Sequence, residues 1–346
     1  MTEEAEKPRN AEAEDEQEAV SNPLPRWRGF NLLEMFNTRS TGEWEEDDFA
    51  WTSDWGFDFV RLPMCYRLWT DPDDVLKIKE EWLAKIDRAV DLGAKHGIHV
   101  CLNFHRAPGF SVNKECEEPF NLWKDKEAQA AFCHHWRVFA ERYKGTGNIS
   151  FNLVNEPKRP TYEEMTRGDH ERVIRACIAE VKEVDPERLV IVDGISWGRD
   201  PLPELADLDV AQSCRAYDPH CISHYKASWA HGEQYDEPVW PDARQGYQVW
   251  DRRSLEGLYD QWSDLARQGV GVHCGEGGCF NKTPHDVYLR WFREVLEVLT
   301  ERSIGWALWN LRGAFGVLDS NREDVEYEEF HGHALDRKLL DLLQEF

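Results

Sequence analysis

Hydrophobic residues along the chain follow two alternating patterns, which predict strands and helices in turn. Short apolar runs rich in β-branched and aromatic residues predict eight strands: Arg26–Leu32, Asp58–Leu62, Ile98–Phe104, Ile149–Val154, Leu189–Asp193, Val210–Tyr217, Val270–Gly275 and Ile304–Asn310. Longer segments with apolar residues three and four positions apart predict helices, among them Glu80–His96, Ala128–Tyr143, Arg172–Val184, Leu255–Gln268 and His285–Arg302. The segment Pro203–Asp207 would be a very short helix between the fifth and sixth strands.

The alternation of strands and helices predicts the fold class. No internal repeat and no linker rich in Pro, Gly or Ser divides the series, so the pattern indicates an α/β protein with one (β/α)8 (TIM) barrel over residues 25–346. Gly93 and Gly97 are predicted to stop the helix before the third strand, and Gly269 the helix before the seventh.

The connection after the sixth strand is unusually long. Between Tyr217 and the helix predicted near Ser254 it contains five aromatic residues: Trp229, Tyr235, Trp240, Tyr247 and Trp250. Long loops are uncommon and usually serve as lids or binding loops. Because this one follows a barrel strand, we expect it to lie over the C-terminal face of the barrel.

The first 24 residues form a segment of different composition. The first twenty positions carry eight acidic and two basic residues without an apolar core, which is typical of a disordered acidic arm and not of a signal or transit peptide. The nine Cys, an odd number without a visible export signal, favour reduced thiols in a cytoplasmic protein.

Charge and composition exclude several classes of function. Lys and Arg number 41 against 66 Asp and Glu, a formal charge of −25, which argues against a nucleic-acid partner. No apolar stretch is long enough to span a membrane. Two sets of Cys and His residues could ligate a metal ion, but their spacing matches no structural zinc pattern, so neither a metal ion nor a cofactor is expected. These sets are Cys214, His220, Cys221 and His224, and the pair Cys274 and Cys279.

Polar residues stand at the C-terminal ends of the predicted strands, where barrel active sites form. They are Arg61, His105, Asn155, Glu156, Tyr217, Glu276 and Trp309. Glu156 and Glu276 follow strands that are three apart in a ring of eight, so their carboxyl groups can face each other across the barrel mouth. Cleavage of a glycosidic bond requires two such groups, one protonated and one ionised. A single Glu here would more often be the partner of an Arg, but two favour catalysis.

Five motifs in order along the chain resemble glycoside hydrolase family 5, the cellulase-like retaining barrels. They are RLP from Arg61, FHRAPG from Phe104, NEP from Asn155, GE ending at Glu276, and WALWNLRGAFGVLDS from Trp306. The resemblance extends from about Trp27 to Phe346 and implies a β-glycoside hydrolase that acts by double displacement.

The resemblance also implies a role for each residue. Glu156 would be the general acid and base, and Glu276 the nucleophile. Asn155 would bind the sugar 2-hydroxyl, and Arg61 would keep the nucleophile ionised. Tyr217 would donate a hydrogen bond to the nucleophile, and His105 would shape the reactive subsite. Trp309 would form the stacking floor under the sugar.

One position departs from the family pattern. The sixth strand carries Arg215-Ala216-Tyr217 where the family usually has His-x-Tyr, and a His comes later, as His224. Arg215 could favour a substrate with a different hydroxyl orientation or an anionic substituent. Alternatively, it forms an ion pair with a barrel Asp such as Asp218.

The expected substrate is a β-linked oligo- or polysaccharide of glucose or mannose, with endo-1,4-β-glucanase or oligosaccharide-acting activity. β-Mannosidase, β-mannanase and β-1,3-glucanase activities of the same fold remain alternatives, as does a catalytically silent barrel that binds carbohydrate. Trp229, Trp240 and Trp250 either stack on sugar rings or form a small core under the long loop. No helix pattern indicates an oligomeric interface.

Overall fold

Eight parallel strands form a closed barrel in this computed structural model, which describes residues 22–71, 73–112 and 117–346. The strands are β1 Arg28–Asn31, β2 Phe59–Cys65, β3 His99–Ala107, β4 Ile149–Asn152, β5 Val190–Asp193, β6 Ala211–Ala216, β7 Val272–Gly277 and β8 Gly305–Leu308. Each strand pairs with the next along the chain, and β8 pairs with β1, which closes the ring. The predicted (β/α)8 barrel and all eight predicted strands are therefore confirmed.

Seven helices of eight or more residues accompany the strands in the described part of the chain: α1 Glu46–Asp54, α2 Glu80–His96, α3 Lys126–Arg142, α4 Arg167–Val184, α5 Arg252–Arg267, α6 His285–Glu301 and α7 Arg337–Gln344. The five predicted helices are confirmed as α2 to α6, whereas α1 and α7 were not predicted. Short helical turns at Ile195–Gly198 and Pro203–Leu205 stand where the fifth helix of a regular barrel would be.

The helix ends in the structure differ from the predicted ones in one detail. Gly97 ends α2 in the left-handed conformation with φ 71°, and Gly269 follows α5 with φ 89°, as expected for glycine. Gly93, however, lies inside α2, so its assignment as a stop signal was wrong. A Cβ at this position would come within 2.3 Å of Cγ2 of Val100 on β3, and glycine is needed there for close helix-to-strand packing.

The inside of the barrel is layered. Its lower end is filled by a small apolar cluster of Phe59, Cys101, Ile191, Ala211 and Ala307, each contributed by a different strand. Apolar side chains on the outer side of the strands pack against the helices in the main core. Further toward the C-terminal ends, the inward positions become polar, and this polar layer supports the residues at the barrel mouth.

A β-bulge in β7 decides the direction of one of these residues. His273 and Cys274 pair with Ser213 and Cys214, but the register then shifts, and Glu276 pairs with Arg215. The extra residue, Gly275, therefore turns the Glu276 side chain inward, whereas regular alternation would turn it toward the helices.

The long connection after β6 is folded. It contains a short helix at His220–Ser223, two 3-10 turns at Ser228–Ala230 and Gly232–Gln234, and a hairpin of Ala243–Gln245 with Gln248–Trp250. Trp240 and Trp250 are buried in the main core, whereas Trp229 is 60% exposed. Trp240 and Trp250 are therefore packing residues of the main core, whereas stacking of Trp229 on a sugar stays a prediction.

The boundary of the predicted acidic arm moves toward the N-terminus. Asn22 donates hydrogen bonds to the carbonyls of Val272 and Ser303 at 2.6 and 3.0 Å, and accepts one from the Val272 amide at 3.0 Å. Leu24 packs against the lower apolar cluster. Residues 22–24 therefore belong with the barrel, and the rest of the predicted arm lies outside the described residues. None of the helices in the described ranges combines the length and apolar character that a membrane crossing needs.

Candidate active site

Glu276 lies at the centre of the barrel mouth in a dense set of donors. Its side chain is 4% exposed, and Nη1 of Arg61 donates to Oε1 at 2.5 Å. The hydroxyl of Tyr217 donates to Oε2 at 3.1 Å, and Nη2 of Arg215 lies 3.5 Å from Oε1. Charge-assisted hydrogen bonds of this kind are short and directional, so both carboxyl oxygens of Glu276 are held in fixed positions.

Glu156 occupies a different environment. Its backbone is in the left-handed region with φ 47°, and its amide donates to Oδ2 of Asp193 at 2.9 Å. One oxygen, Oε1, accepts from Nε of Arg215 at 3.0 Å. Burial and the negative charge of Glu276 raise the pKa of Glu156 to about 8, although Arg215 opposes the shift. This shift favours the protonated form of Glu156 at neutral pH, which is the form that can donate a proton.

Asn155 is held in one orientation by both arginines. Its Oδ1 accepts from Nη2 of Arg61 at 2.8 Å and from Nη2 of Arg215 at 3.0 Å. The amide nitrogen therefore points the other way and lies 3.4 Å from Nε2 of His105. The His105 ring stacks on Trp309 at a centroid distance of 5.4 Å, and burial holds its pKa well below the ordinary value. His105 is thus a neutral wall of the site beside the half-exposed Trp309.

Arg215 has no donor left for a substrate. Nε donates to Glu156, Nη1 to Ser213 Oγ and the Cys214 carbonyl, and Nη2 to Asn155 and Asp193. This saturation speaks against recognition of an anionic substituent by Arg215.

The alternative prediction of an ion pair between Arg215 and a barrel Asp is confirmed, but its partner is Asp193, so the choice of Asp218 was wrong. Asp218 accepts from Nε of Arg199 at 2.7 Å, and the acidic partner of Arg215 is Asp193. Asp193 ends β5 on the strand next to β6, so its carboxylate lies inside the barrel and not on the outer rim.

His224 lies at the edge of the site. Its ring centroid is 5.1 Å from that of Tyr217, and Nδ1 shares a hydrogen bond with Ser223 Oγ at 2.8 Å. Trp229 and Phe315 lie beyond it, with Trp229 at 6.5 Å from both rings. His224 therefore connects Tyr217, the hydrogen-bond donor to Glu276, to an exposed aromatic wall. No group of three His, Cys, Asp or Glu side chains suited to a metal ion occurs among the described residues.

The sequence interpretation missed the buried polar layer below the site. Asn152 on β4 accepts from Nε of Arg61 at 3.0 Å and donates to Oδ1 of Asp193 at 2.8 Å. Asn31, at the end of β1, accepts from Nη1 of Arg61 at 3.0 Å. The available signal was the position of Asn31 and Asp193 as the last residues of apolar strands.

A separate buried carboxyl leads to a prediction on stability. Glu34 follows β1, and its Oε2 is buried without a hydrogen-bond partner among the described residues. Burial and the negative charge of Asp48 raise the pKa of Glu34 to about 7. Because this folded-state pKa exceeds the ordinary value of 4.5, wild-type stability is complete at acidic pH and is lost as the pH rises through 7.

We therefore expect Glu34→Gln, which cannot ionise, to raise the melting temperature by about 2 °C or more at pH 8.5 and to change it little at pH 5. Differential scanning calorimetry of the two proteins at both pH values measures this. An equal shift at both would show that the ionisation of Glu34 does not limit stability.

Comparison with known proteins agrees with this geometry. The model of the cellulase family, glycosyl hydrolase family 5, matches residues 14–314. Endoglucanase C of Acetivibrio thermocellus is 26% identical over 82% of this chain and 88% of its own length. Cellodextrinase A of Ruminococcus flavefaciens is 26% identical over 75% of this chain and 76% of its own length.

A crystal structure described as a glycoside hydrolase superposes with a TM-score of 0.89 at 39% identity, covering 92% of this chain and 99% of that one. The chain is therefore a glycoside hydrolase that acts on O-glycosyl bonds of β-glucan-type substrates with cellulase-like β-glycosidase activity. It belongs to glycosyl hydrolase family 5, the cellulase family.

Proposed function

We propose that this enzyme hydrolyses soluble β-1,4-linked gluco-oligosaccharides by double displacement, with retention of the anomeric configuration. The observation that carries the proposal is the pair of carboxyl groups in contact with one guanidinium: Arg215 is 3.0 Å from Glu156 and 3.5 Å from Glu276. Glu156 is suited to donate a proton and Glu276 to attack.

In the first step, a Glu276 oxygen attacks the anomeric carbon while the bond to the leaving oxygen breaks. The proton of Glu156 moves to that oxygen, and a glycosyl ester of Glu276 forms. In the second step, Glu156 removes a proton from water, the water oxygen attacks the anomeric carbon, and Glu276 is released. The amide nitrogen of Asn155, which is oriented by the two arginines, is placed to donate to the sugar 2-hydroxyl in both steps.

Charge balance supports this sequence of steps. Before reaction, Arg61 and Arg215 are balanced by Asp193 and Glu276 if Glu156 is protonated. In the glycosyl-enzyme, Glu276 is neutral and Glu156 is ionised, so the balance is kept. A buried cluster that is neutral in both states avoids the cost of an uncompensated charge in a site of low dielectric constant.

The preference for oligosaccharides rests on exposed aromatic surface beside the reacting groups and on the curated relatives, which include an endoglucanase and a cellodextrinase. Trp197 is 43% exposed, and its amide donates at 3.0 Å to the carbonyl of Pro157, next to Glu156. Exposed tryptophan faces suit the apolar faces of pyranose rings. We infer that Trp197 binds a sugar on the leaving-group side.

A panel of substrates tests the proposed specificity. We expect kcat/KM on cellotetraose to exceed that on mannotetraose and laminaritetraose by at least about tenfold, a difference of about 1.4 kcal/mol in transition-state binding. Initial rates from product chromatography measure the three values. A higher kcat/KM on mannotetraose or laminaritetraose would contradict the proposed specificity. Binding of all three substrates without turnover would favour a catalytically silent barrel.

The role of Trp197 gives a second prediction. Trp197→Ala should raise KM for cellotetraose by about tenfold and leave hydrolysis of an aryl β-cellobioside nearly unchanged, because the aryl group needs no stacking on a distant sugar. Leu76→Ala, which removes an exposed apolar side chain from the hairpin after β2, is the matched control. Equal loss on both substrates would show that Trp197 supports the fold and not the sugar.

A further inference from the structure

The backbone around Arg215 accommodates the arginine that stands where the family usually has a histidine. Gly198 follows β5 with φ 77°, and a Cβ there would come within 2.6 Å of Cγ of Arg215. A Cβ on Gly275, the bulge residue of β7, would lie 3.1 Å from Nη1 of Arg215. The hydroxyl of Tyr259 on α5 donates to the Arg215 carbonyl at 3.1 Å. The two glycines therefore leave room for this long side chain, which is 2% exposed, and Tyr259 holds its backbone.

Asp193 is the second half of the same arrangement, and its side chain is fully buried. One oxygen, Oδ2, accepts from Arg215 and from the backbone amide of Glu156, the latter at 2.9 Å. Oδ1 accepts from Asn152 at 2.8 Å. Asp193 thus connects the guanidinium of Arg215 directly to the backbone that aims the Glu156 side chain.

A histidine at position 215 could not replace these contacts. Imidazole offers at most two N–H donors, whereas Arg215 uses all five of its own. Asp193 would then lack its main charge partner. Arg215 and Asp193 therefore function as one unit, since removal of either residue takes away the nearest charge partner of the other.

We propose that Asp193 and Arg215 form a positioning pair that aims the Glu156 carboxyl at the glycosidic oxygen and sets how readily it gives up its proton. The pair acts through Glu156 and does not touch the substrate, and the proposal rests on the proposed function of Glu156 as acid and base. The two members act with opposite sign, because Arg215 favours the ionised form of Glu156 and Asp193 disfavours it.

The other charged and titratable groups near Glu156 are unchanged in sequence in the Asp193 and Arg215 variants. They are Glu276 on β7, Arg61 on β2, His105 on β3 and Tyr217 after β6. A change in the pH profile of an Asp193 or Arg215 variant therefore reports on the pair.

The test measures kcat/KM for cellotetraose against pH. The pH at which activity falls on the alkaline side should rise by about one unit or more in Arg215→Gln and fall by about as much in Asp193→Asn. The double variant Asp193→Asn/Arg215→Gln removes both charges and should lie between the singles. Arg215→Lys retains the charge and should keep the wild-type profile, although its rate falls because Lys cannot reproduce the five donors.

A leaving-group comparison keeps the test decisive if a single variant does not fold. Dinitrophenolate is a good leaving group and departs from dinitrophenyl β-cellobioside with little help from an acid. The sugar that leaves from cellotetraose needs a proton on its oxygen. The double variant, which leaves no buried charge unpaired, should lose at least about tenfold more on cellotetraose than on the activated substrate.

Three results overturn the proposal: single variants that fold and shift the profile in the same direction, variants that do not shift it at all, or equal losses on both substrates in the double variant. Wild-type enzyme without turnover on any β-glycoside would instead contradict the proposed function itself.

Discussion

Glu276→Gln should lower kcat on cello-oligosaccharides by at least about 10⁴-fold, with oligosaccharide binding still measurable by calorimetry. The amide cannot form the glycosyl ester, yet it retains the size of the carboxyl. Its one oxygen can still accept from Arg61, and its nitrogen can donate to the Tyr217 hydroxyl. The loss should be similar for natural and activated substrates, because both need the nucleophile.

The matched control is Asp185→Asn. Asp185 is also a buried carboxylate in an ion pair, with Arg188 at 2.8 Å, but it precedes β5 at the opposite end of the barrel. This variant should lose stability by about 3–5 kcal/mol and keep the wild-type kcat of its folded fraction. If Glu276→Gln hydrolysed aryl β-glycosides as fast as the wild type, Glu276 would not be the nucleophile.

Glu156→Ala should show a selective loss. We expect kcat/KM to fall by about 10²–10⁴-fold on cellotetraose and far less on dinitrophenyl β-cellobioside, since only the first substrate needs a proton on its leaving oxygen. For the activated substrate, accumulation of the glycosyl-enzyme should give a burst, because the base of the second step is missing.

The pH dependence of wild-type activity follows from the same residue. The raised pKa of Glu156, about 8, means that the active protonated form persists through neutral pH. The kcat/KM for cellotetraose should therefore stay high up to about pH 8 and then fall, and Glu156→Ala should lack this alkaline decline. A decline beginning near pH 5 in the wild type would show that Glu156 behaves as an ordinary carboxyl and is not held protonated.

The sequence was sufficient to predict the barrel because each strand carries its own local signal. Apolar runs such as Ile149–Val154 are followed by a polar residue, and parallel strands bring these ends to one edge. Glu156 and Glu276 could therefore be placed at one mouth. Helices α1 and α7 were missed since they are short, and α1 lacks a clear apolar face.

Register explains most of what the sequence could not show. Asp193 on β5 lies opposite Ser213 on the neighbouring strand β6. Arg215 is two residues after Ser213 and therefore points to the same side, so the side chains of Asp193 and Arg215 both enter the barrel. This is why Arg215 contacts Asp193 and not Asp218. The bulge at Gly275 is equally invisible in a single sequence, although it turns Glu276 inward. Contacts that depend on pairing between strands distant in sequence require the folded barrel.

Stereochemistry tests the central claim most directly. Proton NMR of cellotetraose hydrolysis, recorded within the first minutes before mutarotation, shows which anomer is released. Double displacement with Glu276 as nucleophile and Glu156 as acid and base predicts that the β-anomer forms first. Initial release of the α-anomer would mean a single displacement by water, and it would contradict the assignment of Glu276 as a nucleophile.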